Sequence, residues 1–144
     1  MMWKVEECEM NVIVCVDDNL GMMFNNRRLS RDITLIKRVI DISKKRTLWL
    51  NKYSYSLFKP FNTSNINMDE FFLSKAANGE YCFVENMMIK PFETQIEKLI
   101  VFQWNRSYPA DQTLDIDLSK WCLFEFSEFE GNSHKKITME VFAK

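Results

Sequence analysis

The sequence predicts a three-layer α/β domain whose mixed, mostly parallel sheet ends in a C-terminal antiparallel pair. Strand-like and helix-like segments alternate through most of the chain, which is typical of parallel sheets with helices on both faces. Residues 10–17, MNVIVCVD, form a nearly continuous apolar run, as in a central strand buried on both faces. The chain has 144 residues, enough to bury the core of one domain without a disulfide or a metal.

The elements of the first half follow from apolar periodicity and capping residues. Residues 10–17 are the first strand. The short, acidic segment before it, residues 1–9, is expected to be an N-terminal extension to a single domain of residues 10–144. Ser30 is expected to cap a helix that ends near Ser43 and buries the apolar stripe of Ile33, Ile36, Val39 and Ile40. There follow a second strand, a short helical turn and a loop, at residues 47–51, 53–58 and 60–65.

Capping and strand patterns also define the second half. Asn67 and Glu70 have the spacing of a capping box, so a helix is predicted there that ends at Gly79. Pro91 suits the first turn of a short helix that reaches Glu97. The last two strands alternate apolar and polar residues and are expected to pair with each other. The third to sixth strands are predicted at residues 80–85, 98–104, 121–126 and 137–142.

Scarce residue types exclude several classes of functional site. The three glycines are far apart in the chain, which excludes a phosphate-binding loop, a dinucleotide fingerprint and a nucleophile elbow. One histidine and four cysteines without zinc spacing predict reduced thiols and no metal site. The sequence has neither a signal-peptide pattern nor an apolar stretch long enough to span a membrane, so we expect a cytoplasmic protein with no membrane partner.

Basic residues are concentrated in one segment. Residues 27–52 contain nine basic and two acidic residues, a net charge of +7, whereas the whole chain has a net charge of −1. Two interpretations remain open. The segment is either the solvated face of a helix with its flanking loop, or a positive rim around an anionic ligand.

Three stretches of the chain resemble dihydrofolate reductases. The stretch VCVDDNLGMMFNNRRLSRDITLIK is similar to the family's first strand, its mobile loop with a Gly21–Met22 pair, and its L-P-x-D helix start. The stretch TLWLNKYSYSLF stands in the place of the second strand and the G-R-x-T-W turn. The tail, WCLFEFSEFEGNSHKKITMEVF, is similar to the closing hairpin with its N-S-H triplet. Their order along residues 10–144 implies a dihydrofolate-reductase-like fold.

The resemblance also implies roles for individual residues. Asp32 takes the place of the pocket carboxylate that grips the pterin ring and assists its protonation, and it is therefore the candidate catalytic residue. The alternative is an ordinary acidic residue in the first turn of a helix. Lys52 and Ser54 keep a cation and a hydroxyl in the cofactor-phosphate turn. The expected ligand-binding residues are Ile33, Ile36, Arg27, Arg28, Lys52, Ser54, Phe58 and Phe102.

Departures from the family pattern argue against a cofactor. Asn51 stands where the family has the glycine of its phosphate turn. Glu85 and Asn86 stand where it has a Gly-Gly pair that lets the backbone approach the nicotinamide and pyrophosphate. A carboxylate repels a pyrophosphate, and a side chain blocks the close approach that glycine permits. The span between the second and third strands is also short. We therefore expect no NADPH and no other cofactor.

Three short patterns in the sequence resemble those of a second group of proteins. The V-C-V-D-D, W-N-R-x-Y-P-A-D and S-H-x-K-I-T patterns are similar to those of a group of short bacterial proteins that sometimes carry the label ribonuclease Z. Phosphodiesterases of that kind use two zinc ions held by several His and Asp ligands. A chain with one histidine does not fit that chemistry.

Three classes of function remain open. The first is a ligand-binding protein that has lost hydride chemistry and holds a small anionic heterocycle or nucleotide between Asp32 and the basic rim. The second is a divergent, active NADPH-dependent reductase. The third is an interaction protein or homodimer with an aromatic interface, for instance Trp104, Tyr108 and Trp121. We expect a small anionic ligand and no nucleic-acid partner.

Overall fold

The computed structural model describes residues 9–144, which fold around one seven-stranded sheet. None of the helices in this part of the chain is long and apolar enough to cross a membrane. In chain order the strands and α-helices are β1 (Met10–Val16), β2 (Gly21–Phe24), β3 (Arg27–Arg28), α1 (Ile33–Ser43), β4 (Leu48–Leu50), α2 (Lys52–Phe58), β5 (Ile66–Met68), β6 (Tyr81–Phe83), β7 (Ile96–Gln103), β8 (Gln112–Thr113), β9 (Cys122–Phe129) and β10 (Ile137–Ala143).

The main sheet has the strand order β5-β4-β6-β1-β7-β10-β9. Its first five strands are parallel, and β1 lies near the centre with Ile13 opposite Phe83 of β6 and Ile100 of β7. β10 runs antiparallel to both β7 and β9. A small second sheet has the order β3-β2-β8. The predicted mixed, mostly parallel α/β fold with a C-terminal antiparallel pair is confirmed.

The two faces of the sheet are covered in different ways. One face packs Ile13 against Leu35 and Val39 of α1 and Phe58 of α2. The other face is covered by a 3-10 turn, Phe72–Ser74, and by loop residues. Alternate residues of β1 point to opposite faces, and both faces bury apolar side chains, which accounts for the continuous apolar run in its sequence.

The helix predicted from Asn67 and Glu70 does not form. Asn67 lies within β5, which pairs in parallel with β4, and Glu70 accepts a hydrogen bond from the Lys52 amide (2.8 Å) instead of from the start of its own segment. The strand pairing therefore prevails over a locally favourable cap. Gly79 has a positive φ of 77°, which suits glycine, but it follows a 3-10 turn, Phe72–Ser74, and ends no α-helix. The predicted short helix after Pro91 is a 3-10 turn, Lys90–Gln95.

The first helix starts two residues later than predicted. Its N-cap is Asp32, whose carboxylate accepts a hydrogen bond from the Leu35 amide (3.2 Å). Ser30 lies outside the helix with its hydroxyl 3.2 Å from His134 Nε2. The stripe is also shifted, because Ile33 is half exposed and Leu35 is buried. Of the predicted extension, residues 1–8 lie outside the described residues, and Glu9 donates its amide hydrogen to Asn78 (3.0 Å).

Candidate functional site

The Asp32 carboxylate is surrounded by hydrogen-bond donors from the turn between β9 and β10. Its Oδ1 accepts from the amides of Leu35 and Asn132, both at 3.2 Å. Its Oδ2 accepts from the Ser133 amide at 2.8 Å and lies 2.9 Å from the Ser133 hydroxyl. A carboxylate has about four lone-pair positions. Three backbone amides therefore occupy most of the acceptor capacity of Asp32, and the Ser133 hydroxyl, which also lies 2.8 Å from the Arg31 carbonyl, is shared between the two acceptors.

Electrostatics keep Asp32 ionised. Burial raises the pKa of this carboxyl group, but the hydrogen bonds from Ser133, Asn132 and Leu35 outweigh burial and hold the pKa below its usual value. Asp32 is almost completely buried, and its charge is compensated by fixed donors. The arrangement is that of an anchor between the start of α1 and the β9–β10 turn.

His134 lies behind this carboxylate and joins three parts of the chain. Its Nδ1 is 3.5 Å from Asp32 Oδ2, and its Nε2 is 3.0 Å from the Tyr108 hydroxyl and 3.2 Å from that of Ser30. The imidazole stacks on the indole ring of Trp104, with ring centroids 4.6 Å apart. The ring is buried and hydrogen-bonded at both nitrogens, as expected of a hairpin residue that supports packing.

A second polar group at the site is the half-buried ion pair of Arg28 and Glu85. Arg28 Nε lies 2.9 Å from Glu85 Oε2, and Nη2 lies 3.2 Å from Oε1. Ser54 donates its hydroxyl hydrogen to the same carboxylate at 2.7 Å, and the Arg28 guanidinium lies 4.4 Å from the centre of the Tyr53 ring. Burial lowers the pKa of Arg28, but the bonds and charge of Glu85 outweigh it and raise the pKa. Two predicted ligand-binding residues, Arg28 and Ser54, are therefore engaged with Glu85.

The ion pair fills the space at the carboxyl ends of β1 and β6. Open α/β sheets usually bind their ligands at this edge. Here the remaining cavity has a volume of about 10 Å³, room for a single water molecule. The Cys15 thiol borders it, and burial, followed by the charge of Glu85, raises the pKa of this thiol well above its usual value. The central cleft is therefore closed by the side chains of the protein itself.

The start of α2 is also satisfied internally. Asn51 caps the helix through Oδ1, which accepts from the Ser54 amide (3.0 Å), and its Nδ2 donates to Asn86 Oδ1 (2.9 Å). The Lys52 amide donates to Glu70 Oε2. The three positions at which the chain departs from the reductase pattern thus meet in space. The first amide of α2 is therefore already bound to a carboxylate of the protein, Glu70.

Two larger cavities flank the closed cleft. The first has a volume of about 390 Å³ and lies between the start of α1, the end of α2 and the β9–β10 turn. The second, about 540 Å³, lies between the β2–β3 hairpin and the loop after β7. The first is lined by Arg31, Asp32, Ile33, Ile36, Ser56, Leu57, Pro60, Phe61, Asn132 and Ser133, and the second by Phe24, Asn25, Arg27, Arg28, Leu29, Tyr108 and Pro109.

The predicted ligand-binding residues do not form one site. Ile33 and Ile36 line the 390 Å³ cavity together with Asp32, whereas Arg27 and Arg28 line the other cavity. Phe58 and Phe102 have no exposed surface. Their rings make edge contacts within the core, with Phe83 (5.1 Å) and Phe129 (6.2 Å) respectively. Ser54 is buried against Glu85, and the Lys52 side chain is exposed.

Sequence reasoning missed Arg31 and the polar turn residues of the 390 Å³ cavity. Arg31 is exposed, and no carboxylate lies within ion-pair distance of it among residues 9–144. Two signals were available, because Arg31 adjoins Asp32 in the L-S-R-D stretch and Asn132 and Ser133 belong to the N-S-H triplet. Their approach across the fold is a tertiary contact that neither stretch records.

Of the three aromatic residues suggested for a protein interface, Trp104 and Trp121 are buried, and Tyr108 is half-buried at the edge of the 540 Å³ cavity. Trp104 is 4% exposed and Trp121 is 7% exposed. The Trp121 indole donates to Glu93 Oε2 at 3.2 Å, and Trp104 stacks on His134. These two tryptophans pack the interior. Within residues 9–144 no group of three or more His, Cys, Asp or Glu side chains could hold a metal ion.

Comparisons with known proteins connect this architecture to one fold. No protein-family model and no curated protein matches the chain, and nothing supports the label ribonuclease Z. The structure is similar to that of the dihydrofolate reductase from Enterococcus faecalis complexed with NADP(H) and RAB-propyl, with a TM-score of 0.68. The sequence identity is 10%, and the match covers 95% of this chain and 96% of that chain. At this identity the likeness concerns the fold alone, and the chain therefore has the fold of dihydrofolate reductase.

Proposed function

We propose that this protein binds a small anionic, aromatic molecule in the 390 Å³ cavity and no longer carries out NADPH-dependent reduction. The observation that carries the proposal is a contrast between two neighbouring spaces. The cleft at the carboxyl ends of β1 and β6 is filled by the Arg28–Glu85 pair, whereas the adjacent cavity at Arg31 is open. The proposed binding site therefore lies at the start of α1 and not in the cleft at the centre of the sheet.

Three contacts support the loss of NADPH binding. Glu85 brings a buried negative charge to the edge of the closed cleft, where the nicotinamide and pyrophosphate would lie in a reductase. Glu70 accepts from the Lys52 amide at the start of α2. Asn51 and Asn86 are hydrogen-bonded to each other. Their side chains therefore occupy the space through which a cofactor could approach the backbone if these residues were glycine. A dianionic pyrophosphate would face two carboxylates and closed backbone positions.

The chemistry of the open cavity supports an aromatic anion. Ile33, Ile36 and Phe61 provide apolar walls, and the volume lies within the range of small-molecule sites. Arg31 is a cation without an ion-pair partner among the described residues, and a guanidinium binds a carboxylate or phosphate through paired hydrogen bonds. Asn132 and Ser133 add polar groups next to Arg31, since Asn132 accepts from the Ile33 amide and the Ser133 hydroxyl donates to the Arg31 carbonyl. Heterocyclic acids and small nucleotides belong to this ligand class.

Titration calorimetry with simple probes tests the proposal. We expect benzoate and phenyl phosphate to bind and the uncharged analogue benzamide to bind more weakly. Arg31→Ala should weaken binding of the two anions by tenfold or more, because a hydrogen bond to a charged group contributes about 1.5–3 kcal/mol. The matched control is Arg27→Ala, an exposed arginine at the other cavity, which should leave the affinities unchanged.

Other outcomes would contradict the proposal in distinguishable ways. Saturable binding of NADPH, or its oxidation in the presence of dihydrofolate, would favour the divergent reductase. Loss of anion binding in Arg27→Ala but not in Arg31→Ala would place the ligand in the 540 Å³ cavity. Unchanged thermal melting curves of both variants would show that any loss of affinity is not a loss of fold.

A further inference from the structure

β9 is the last strand of the main sheet, and its outer edge has no partner strand among residues 9–144. This edge is unusually apolar, because Leu123 is 49% exposed, Phe124 is 52% exposed and Phe126 is 61% exposed. Natural proteins commonly protect a sheet edge, since its free amide and carbonyl groups can pair with another strand. A long edge with three exposed hydrophobic side chains is a surface for strand addition.

We propose that β9 pairs in antiparallel fashion with β9 of a second copy of this chain, about a two-fold axis that passes beside Ser127. The two seven-stranded sheets would then form one continuous sheet of fourteen strands. This inference concerns assembly and does not depend on the ligand proposed above. The partner is inferred from charged residues near the strand. The register is inferred from those charges and from a bulge that limits the regularly paired part of β9.

A bulge limits the part of β9 that can pair regularly. Val141 of β10 lies opposite Glu125, and the next residue, Phe142, lies opposite Leu123, so Phe124 is an extra residue in β9. A bulge bends the strand and interrupts the ladder of hydrogen bonds. Regular pairing with a second copy is therefore confined to residues 125–129.

Symmetry and charge then select the register. Directly opposed residues of antiparallel strands point to the same face, so a two-fold axis perpendicular to the sheet must place one residue opposite its own copy. An axis at Glu125 or Glu128 would oppose two like charges. An axis at Ser127 uses all of residues 125–129, placing Glu125 opposite Phe129 and Phe126 opposite Glu128. It also makes the two Phe126 rings diagonal neighbours, within reach of each other.

Ser127 itself supports this axis. Its hydroxyl oxygen is buried and has no hydrogen-bond partner in the part of the chain that the structure describes. An unsatisfied buried hydroxyl costs stability. With the axis at Ser127, the same hydroxyl of the second copy lies directly opposite and can supply the missing hydrogen bond.

Charge complementarity favours a second copy over an unrelated strand. The Arg38 guanidinium lies 4.4 Å from the centre of the Phe129 ring, and no carboxylate lies within ion-pair distance of it among residues 9–144. Glu125 likewise has no cationic partner there. Because Glu125 of one copy lies opposite Phe129 of the other on the α1 face, the register brings its carboxylate to Arg38. The symmetry gives two such ion pairs.

Analytical ultracentrifugation over a range of protein concentrations tests the dimer. We expect the unaltered protein to dimerise and Phe126→Lys to shift the equilibrium to monomer. The matched control is Phe71→Lys, because Phe71 is 72% exposed and lies outside β9. Glu125→Arg and Arg38→Glu should each weaken dimerisation by tenfold or more, and the two changes combined should restore it.

Cross-linking tests the register. In a background with Cys8 and Cys122 replaced by serine, oxidation should join two copies of Ser127→Cys, whose α-carbons lie at disulfide distance across the axis. Glu125→Cys should not cross-link, because it faces Phe129. A monomer at every concentration, a dimer that tolerates Phe126→Lys, or cross-linking of Glu125→Cys alone would overturn the proposal. Circular dichroism establishes that each variant is folded.

Discussion

Two charged side chains at this site, Asp32 and Arg28, bind groups that lie far away in the sequence. Asp32 binds the amide of a residue 101 positions later, and Arg28 binds a glutamate 57 positions later. Asp32 is buried and the Arg28–Glu85 pair is largely shielded from solvent, so a carboxylate that loses its donor or its cation is left poorly compensated. The stability of the protein is therefore sensitive to changes at these positions, although neither is part of the apolar core.

Arg28→Ala should lower the free energy of unfolding by about 3 kcal/mol, because Glu85 would keep a buried charge without its partner. Side chains of the pair are 20% and 9% exposed, so solvent screens the charge only in part. Urea unfolding measures the change. The matched control is the double variant Arg28→Met with Glu85→Gln, which removes both charges and should recover most of the loss. Equal losses in both variants would show that packing of the arginine stem, and not the charge, is responsible.

Among the elements, the turn between β9 and β10 is packed most tightly against the site. The Gly131 amide donates to the His134 carbonyl at 2.8 Å, and the Asp32 carboxylate occupies the space where a side chain at position 131 would begin. A β-carbon at this position would overlap Asp32 Oδ2 and lie 2.8 Å from Ile137 Cδ1. The turn therefore requires glycine for space and not for a positive φ.

Gly131→Ala should lower the free energy of unfolding by about 2–3 kcal/mol, since either the turn or the carboxylate must move. Gly79→Ala is the comparison. Gly79 has a positive φ, but a β-carbon added there would have its nearest neighbour, Arg46 Cζ, at 3.9 Å, so the substitution should cost only backbone strain of about 1–2 kcal/mol. Thermal and urea unfolding of both variants test the order. A smaller loss at Gly131 than at Gly79 would contradict the packing described here.

The elements that the sequence predicts correctly are those with a clear apolar pattern. The central strand and the C-terminal pair follow from apolar runs and alternation, which depend on the local sequence alone. The expected helix at Asn67 failed because a capping-box spacing records nothing about the neighbouring β4, to which the segment pairs. At the site, the position of Asp32 at the helix start was predictable. Its saturation by Ser133 and the pairing of Arg28 with Glu85 were not, since these contacts join distant segments.

At the scale of the whole molecule, buried carboxylates make stability depend on acid. Asp17 accepts from the amides of Gly21 (2.6 Å), Asn19 (2.9 Å) and Tyr108 (2.9 Å), and it has no exposed surface. Burial raises the pKa of Asp17, but these hydrogen bonds outweigh burial and lower it, as at Asp32. Both groups are therefore ionised in the folded protein at a pH where the unfolded chain is already protonated.

The sign of this effect predicts loss of stability in acid. A carboxyl group with a lowered folded pKa stabilises the protein fully above its unfolded pKa, about 3.9 for aspartate, and loses that contribution as the pH falls toward the folded value. Urea unfolding free energies should therefore decrease as the pH is lowered through this range. Asp32→Asn should be less stable at pH 7 and should show a weaker dependence on pH. Parallel curves for the variant and the unaltered protein would contradict the assignment.

The contact between Asp32 and the β9–β10 turn also determines when the protein can finish folding. A ribosome makes the chain from residue 1 onward, so α1 emerges about a hundred residues before Asn132 and Ser133. Until then the Asp32 carboxylate has only its own helix to bind, and β7 lacks β10 beside it. Long-range contacts of this kind slow folding, and apolar strands stay exposed until their partner strands have been synthesised. We therefore expect nascent chains that stop before the turn to need chaperones, and release of the turn to complete the fold in one cooperative step.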